Sequence, residues 1–168
     1  MRRLFRFRVV PTGPPGMRHV FDDGGRAAAG FTGQTGDCVV RSIAIAAGLP
    51  YQEVYDLFNH LGSQERSSKK RRGKKSSART GVFKTTYRRW LEAHGWTFVP
   101  TMQIGTGCRV HLRDGELPMG RLIVAVSRHL VAVIDGVVHD THDCTRAGTR
   151  CVYGMFRRPE EIERYIWP

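Results

Sequence analysis

The sequence has no apolar run approaching the roughly 18 to 20 residues that a membrane-spanning helix needs. After Met1-Arg2-Arg3 come alternating Phe, Arg and Val, not the apolar core of an export signal. The expectation is a cytoplasmic protein with no membrane partner. Cysteine is sparse, with four residues at 38, 108, 144 and 151. A chain of this length in reducing surroundings does not need covalent staples, so all four are read as thiols. A regular zinc pattern is missing too. Cys108-x-x-His111 is one half with the right spacing, but His142-x-Cys144 and Cys151 supply no matching second half. No metal or other cofactor is expected.

Acidic residues are outnumbered, 15 Asp and Glu against 27 Lys and Arg, which gives a formal net charge of +12 and favours anionic partners. Much of the excess sits in residues 66 to 79, RSSKKRRGKKSSAR, a segment with no large apolar side chain. It cannot bury enough surface to offset the entropy of ordering, so a mobile basic loop is predicted there. It also lacks aromatics for base stacking. Its chemistry suits nucleic acid or another polyanion held without sequence reading.

What remains is enough for one core: 168 residues, 40% of them hydrophobic, read as a single domain over 1–168. Residues 4–10 alternate as a half-buried strand up to Pro11, and Gly13 to Gly36 reads as mostly irregular chain. Cys38 to Ala47 is apolar on most sides, with small residues that permit close packing and Gly48 as its stop, which predicts a buried helix. Val54, Leu57 and Phe58 predict a second helix from Tyr51 to near Gly62. Tyr87, Trp90 and Leu91 predict a third over about 84 to 94, followed by a strand at 96–99. Residues 121–126 and 129–134 are β-rich. Asp135-Gly136 is a hairpin-turn signal leading into 137–140. Helices first and an antiparallel sheet after them make an α+β order.

The chemistry-bearing residues follow from this layout. A helix N-terminus favours a thiolate through its free N–H groups and dipole, and Gly36-Asp37-Cys38 puts a cysteine there. A two-residue turn at Asp135-Gly136 pairs Ile134 with Val137 and Val131 with Asp140, making His129 and Asp140 diagonal neighbours on one face. Asp140 can then orient the imidazole while its other nitrogen faces Cys38. By the same parity His139 points away, and His142 is the reserve orienter if the strand extends that far. Gln34, in a glycine-flanked loop four residues before Cys38, can donate its amide to an oxyanion beside the Cys38 N–H.

The stretches GQTGDCVVRSIA and RHLVAVIDGVVHDT resemble the papain-like cysteine peptidase superfamily in its compact bacterial and phage forms, over about a quarter of the chain. The resemblance implies a papain-like α+β fold, with a cysteine-bearing helix packed on a C-terminal sheet. It implies nucleophile, base, orienter and oxyanion roles for Cys38, His129, Asp140 and Gln34, and a peptide or protein substrate. Two features depart from the peptidases: Val39-Val40 follow the cysteine, and Gln34 stands closer to it than in papain. The hairpin is also similar to that of cell-wall amidases of the superfamily, which use two histidines. The expected activity is cysteine-dependent hydrolysis or acyl transfer at a peptide or amide bond. The alternative is a non-catalytic basic module binding nucleic acid or another polyanion.

Overall fold

A computed structural model describes residues 16–66 and 73–159. The predicted strand at 4–10 and the centre of the basic run, 67–72, lie outside those residues.

Three helices and six strands are formed among the described residues: β1 (Arg18–Phe21), α1 (Cys38–Ala47), α2 (Tyr51–Ser63), α3 (Lys84–Ala93), β2 (Thr97–Pro100), β3 (Arg121–Val126), β4 (His129–Ile134), β5 (Val137–Asp140) and β6 (Val152–Arg157). Helix α1 forms where the small and apolar residues run. Val39 through Ala46 are all buried, and Gly48 ends the helix in the left-handed conformation (φ 66°) that a residue with a side chain resists. Its last carbonyls are met by the Arg121 guanidinium, Nε to Ala46 O at 2.7 Å and Nη2 to Ile45 O at 2.6 Å. The cation sits where the helix dipole is negative.

The strands form one sheet in the order β1-β5-β4-β3-β6-β2. The sheet is mixed rather than antiparallel throughout, because β1 runs parallel to β5 at one edge. The glycine-rich segment read as irregular therefore holds a strand. Its four residues are mostly exposed, so it carries no apolar alternation to reveal it. Strand β6, also unforeseen, pairs with both β3 and β2. Gly154 breaks its pattern for a steric reason: a Cβ there would stand 2.4 Å from Phe98 Cζ.

Strands β3 and β4 are covered on both faces, which explains their nearly unbroken apolar sequences. Ile123, Leu130 and Ala132 join α1, α2 and α3 in one core. Leu122, Val124, Val131 and Val133 join Met17, Leu112, Leu117 and Cys144 in the other.

Two expectations are corrected. Cys108 and Cys151 form a disulfide, so only Cys38 and Cys144 are free thiols. The link fastens the irregular 101–120 segment to the start of β6, a constraint that the spacing of the cysteines did not reveal. Residues 73–79 of the basic run, read as mobile, are packed against the fold. Ser76 and Ala78 are buried, Ala78 N–H donates to Asn59 Oδ1 at 2.9 Å, and Ser77 and Gly81 bridge each other. Short side chains let this segment lie flat on α2, so it needed no large apolar group to be held.

Candidate active site

Cys38 is the first residue of α1 and half-buried, with the unpaired N–H groups of the first helical turn at its back. His129 opens β4 and Asp140 closes β5, so both stand at one end of the sheet. The hairpin has the register that its two-residue turn demands, Ile134 opposite Val137 and Ala132 opposite His139. At the hairpin's open end His129 Nε2 meets Asp140 Oδ2 at 2.5 Å. That occupies Nε2 and leaves Nδ1 for other partners.

Asp140 is 3% exposed. Burial pushes its carboxyl up, but the His129 hydrogen bond and charge, the Thr141 N–H (2.7 Å to Oδ1) and Arg41 outweigh burial and hold it below the usual carboxylate range. For His129 the order is similar. Burial disfavours the cation, while hydrogen bonds to Asp140, Cys144 and Cys38 and the Asp140 charge raise it to about 11. Burial likewise opposes ionisation of Cys38. The hydrogen bond and charge of His129, the Leu130 backbone N–H and the charge of Arg41 nevertheless bring the thiol below its ordinary value. These interactions favour the charged forms, thiolate at Cys38 and imidazolium at His129, beside a buried carboxylate. The negative charge is felt by Tyr87, whose hydroxyl is pushed up to about 12 by burial and by Cys38.

Behind this pair lies an ion network that the sequence reading missed. Arg41 on α1 is 8% exposed, and Asp37, one turn before it at the N-cap, is 1% exposed. The Arg41 guanidinium donates through Nη1 to Asp37 Oδ1 and reaches Asp140 Oδ1 through Nη2 at 3.3 Å. Tyr51 Oη donates to Asp37 Oδ2 at 2.6 Å. Arg26 Nε adds an ion contact to the same oxygen at 3.2 Å, without the angle of a hydrogen bond. Asp37 stands at the N-cap position but caps nothing with its side chain, which is committed to this network. The visible mark was Arg41, a lone charge within an otherwise apolar helix.

The other named residues fall as follows. Gln34 is exposed and does not line the cleft at Cys38, whose nearby wall is formed by Thr35 and Gly36 instead. The loop is fixed that way by Gly36 N–H and Thr35 Oγ1, which both donate to Arg79 O at 2.8 and 2.7 Å. The groups that stand beside Cys38 in the cleft are thus Thr35 and Gly36 rather than the Gln34 amide. His142 lies beyond the end of β5, exposed, its ring 5.4 Å from that of His129. Cys144 meets His129 from the opposite layer, buried among the second core.

Donor atoms of His129, Asp140 and His142 lie within 4.8 Å of one another. The 2.5 Å separation of His129 and Asp140 is shorter than the roughly 3.3 Å between two ligands that each stand about 2.0 Å from a tetrahedral ion. Both Asp140 oxygens also have protein donors. The group is a hydrogen-bonded one, not a preformed metal cage.

A cleft of about 730 Å³ opens at Cys38 and His129, walled by Val82, Tyr87, Phe98 and Tyr153 among others. Compared with models of protein families, with curated proteins and with solved structures, the chain matches none.

Proposed function

We propose that the protein is a cysteine-dependent hydrolase or acyl transferase of papain-like type, acting on a peptide or amide bond through Cys38, His129 and Asp140. One observation carries the reading. His129 is held at Nε2 by the buried Asp140 carboxylate, and its ring lines one cleft with Cys38, a thiol at a helix start.

In the proposed reaction the Cys38 thiolate attacks the carbonyl carbon, a C–S bond forms, and the carbonyl electron pair moves to oxygen. Backbone N–H groups at the start of α1 receive that oxyanion. The tetrahedral adduct collapses with cleavage of the C–N bond, and His129 gives its proton to the departing amine. The thioester is then opened by water in hydrolysis, or by a second amine in transfer. His129 takes the proton from that attacking group, and the C–S bond breaks to restore the thiolate. Asp140 keeps the ring oriented throughout and stabilises its cation before the amine departs and again after the attacking group is deprotonated. The orienter is the aspartate rather than His142, which makes this the peptidase-like arrangement and not the two-histidine one. A non-catalytic basic module would need no such alignment of three side chains.

Alkylation with iodoacetamide near neutral pH tests the reading. Cys38 is expected to react far faster than Cys144, with an apparent pKa below that of an ordinary thiol. In His129→Ala the thiol keeps its burial but loses its counter-charge, so the apparent pKa should rise and the neutral-pH rate fall by about tenfold or more. Equal rates for the two thiols, or a Cys38 rate indifferent to His129, would remove the enzyme reading.

A further inference from the structure

We propose that the cleft at Cys38 selects an acidic peptide, with an Asp or Glu side chain beside the scissile amide; this rests on the acyl-transfer reading above. The basic residues that line the cleft are Arg41, Lys84 and Arg128 together with His129 and His142, and no Asp or Glu lines it. Arg41 is committed to Asp37 and Asp140. Lys84 and Arg128 are exposed, and among the described residues neither has a carboxylate partner.

Their positions bracket the reacting groups. Lys84 begins α3, with Nζ 5.6 Å from the Phe98 ring centroid, so its charge rides on the apolar wall of the cleft. Arg128 sits in the β3–β4 turn immediately before His129 with φ at 57°, where glycine or asparagine would sit without strain. A bulky cation held there at a conformational cost presents its charge beside the catalytic pair. Arg128 also borders an adjoining depression where Arg146 and Arg150 face a single acidic residue, Asp143. Low-dielectric walls focus such a field. A basic substrate side chain would enter with no carboxylate to receive it, whereas an acidic one finds two unneutralised cations. The aromatic wall accepts the aliphatic part of the peptide.

Three peptidyl acyloxymethyl ketones, identical except for Glu, Gln or Lys beside the ketone, provide the test. Labelling forms a bond from the Cys38 sulfur to the methylene carbon and expels the acyloxy group as a carboxylate. Intact-mass spectrometry of the full chain follows the rate. The Glu probe should label Cys38 at least about tenfold faster than the Lys probe, with Gln between them, and the gap should narrow as salt rises to about 0.5 M. The double charge reversal Lys84→Glu with Arg128→Glu should invert the order. Lys84→Gln with Arg128→Gln should flatten it, thermal melts confirming that these exposed changes leave the fold intact. Equal rates for the three probes, or an order unmoved by either pair of variants, overturns the substrate inference. If iodoacetamide still singles out Cys38 in that case, the acyl-transfer reading stands; if it does not, both fall.

Discussion

Arg41 acts on the pair from behind, through Asp140. Its guanidinium lies between Asp37 and Asp140, two carboxylates almost wholly removed from water, and its planar fork can serve both at once. The arginine positions rather than reacts: it holds Asp140 charged, and Asp140 holds His129. Replacing it by methionine nearly keeps the volume but removes one partner from each of two buried carboxylates, which keep Tyr51 and Arg26 at Asp37 and His129 and the Thr141 N–H at Asp140, a loss of about 1 to 3 kcal/mol. Urea melts of Arg41→Met should show that loss. In the same variant the apparent pKa of Cys38 alkylation should rise, because the thiolate loses a nearby positive charge. A purely structural arginine would move the melt and leave the alkylation profile unchanged.

The elements show how residues 73–79 are held. Helix α2 has Gly62 in its last turn, where a Cβ would stand 2.1 Å from the Ser76 carbonyl oxygen. That close approach is fastened by Ser76 N–H donating to Glu65 Oε2 at 2.9 Å and by Phe83 N–H donating to Ser76 Oγ at 2.9 Å. The same strap leads through Thr80 and Val82, which line the cleft, into Lys84 at the head of α3. Gly62→Ala should therefore destabilise by about 1 to 3 kcal/mol through overpacking, despite alanine's better helix propensity. Because the displaced strap forms one wall of the cleft, Cys38 labelling by the peptidyl probes should slow more than labelling by iodoacetamide. A gain in stability on chemical denaturation would show that the strap is not packed as described.

Over the whole molecule, a single sheet divides two cores, and the outer one is the more dependent on covalent support. Its cover includes Leu112 and Leu117 from an irregular stretch, closed by the Cys108–Cys151 link across a sequence separation of 43. Removing that link as Cys108→Ser with Cys151→Ser should cost about 2 to 4 kcal/mol, chiefly by freeing the unfolded chain. The preference of iodoacetamide for Cys38 over Cys144 should persist, since Cys38, His129 and Asp140 are positioned by α1, β4 and β5. A double variant as stable as the parent would mean that the outer layer is held by packing alone.

Local information was sufficient for much of this protein. The apolar run from Cys38 with Gly48 behind it determined the buried helix, and the Asp135-Gly136 turn determined the hairpin register, because both signals are short-range and repeat with the period of their element. That register by itself made His129 and Asp140 neighbours. Other features depended on residues far apart in the chain. Strand β1 pairs with β5 across 119 positions (Arg18 to Val137), and Arg41 meets Asp140 across 99. Whether Cys108 bonds Cys151, whether Gln34 or Thr35 walls the cleft, and whether a basic segment lies flat on a helix all turn on such meetings. A local pattern records which face of an element is apolar; only the packed chain decides which faces touch.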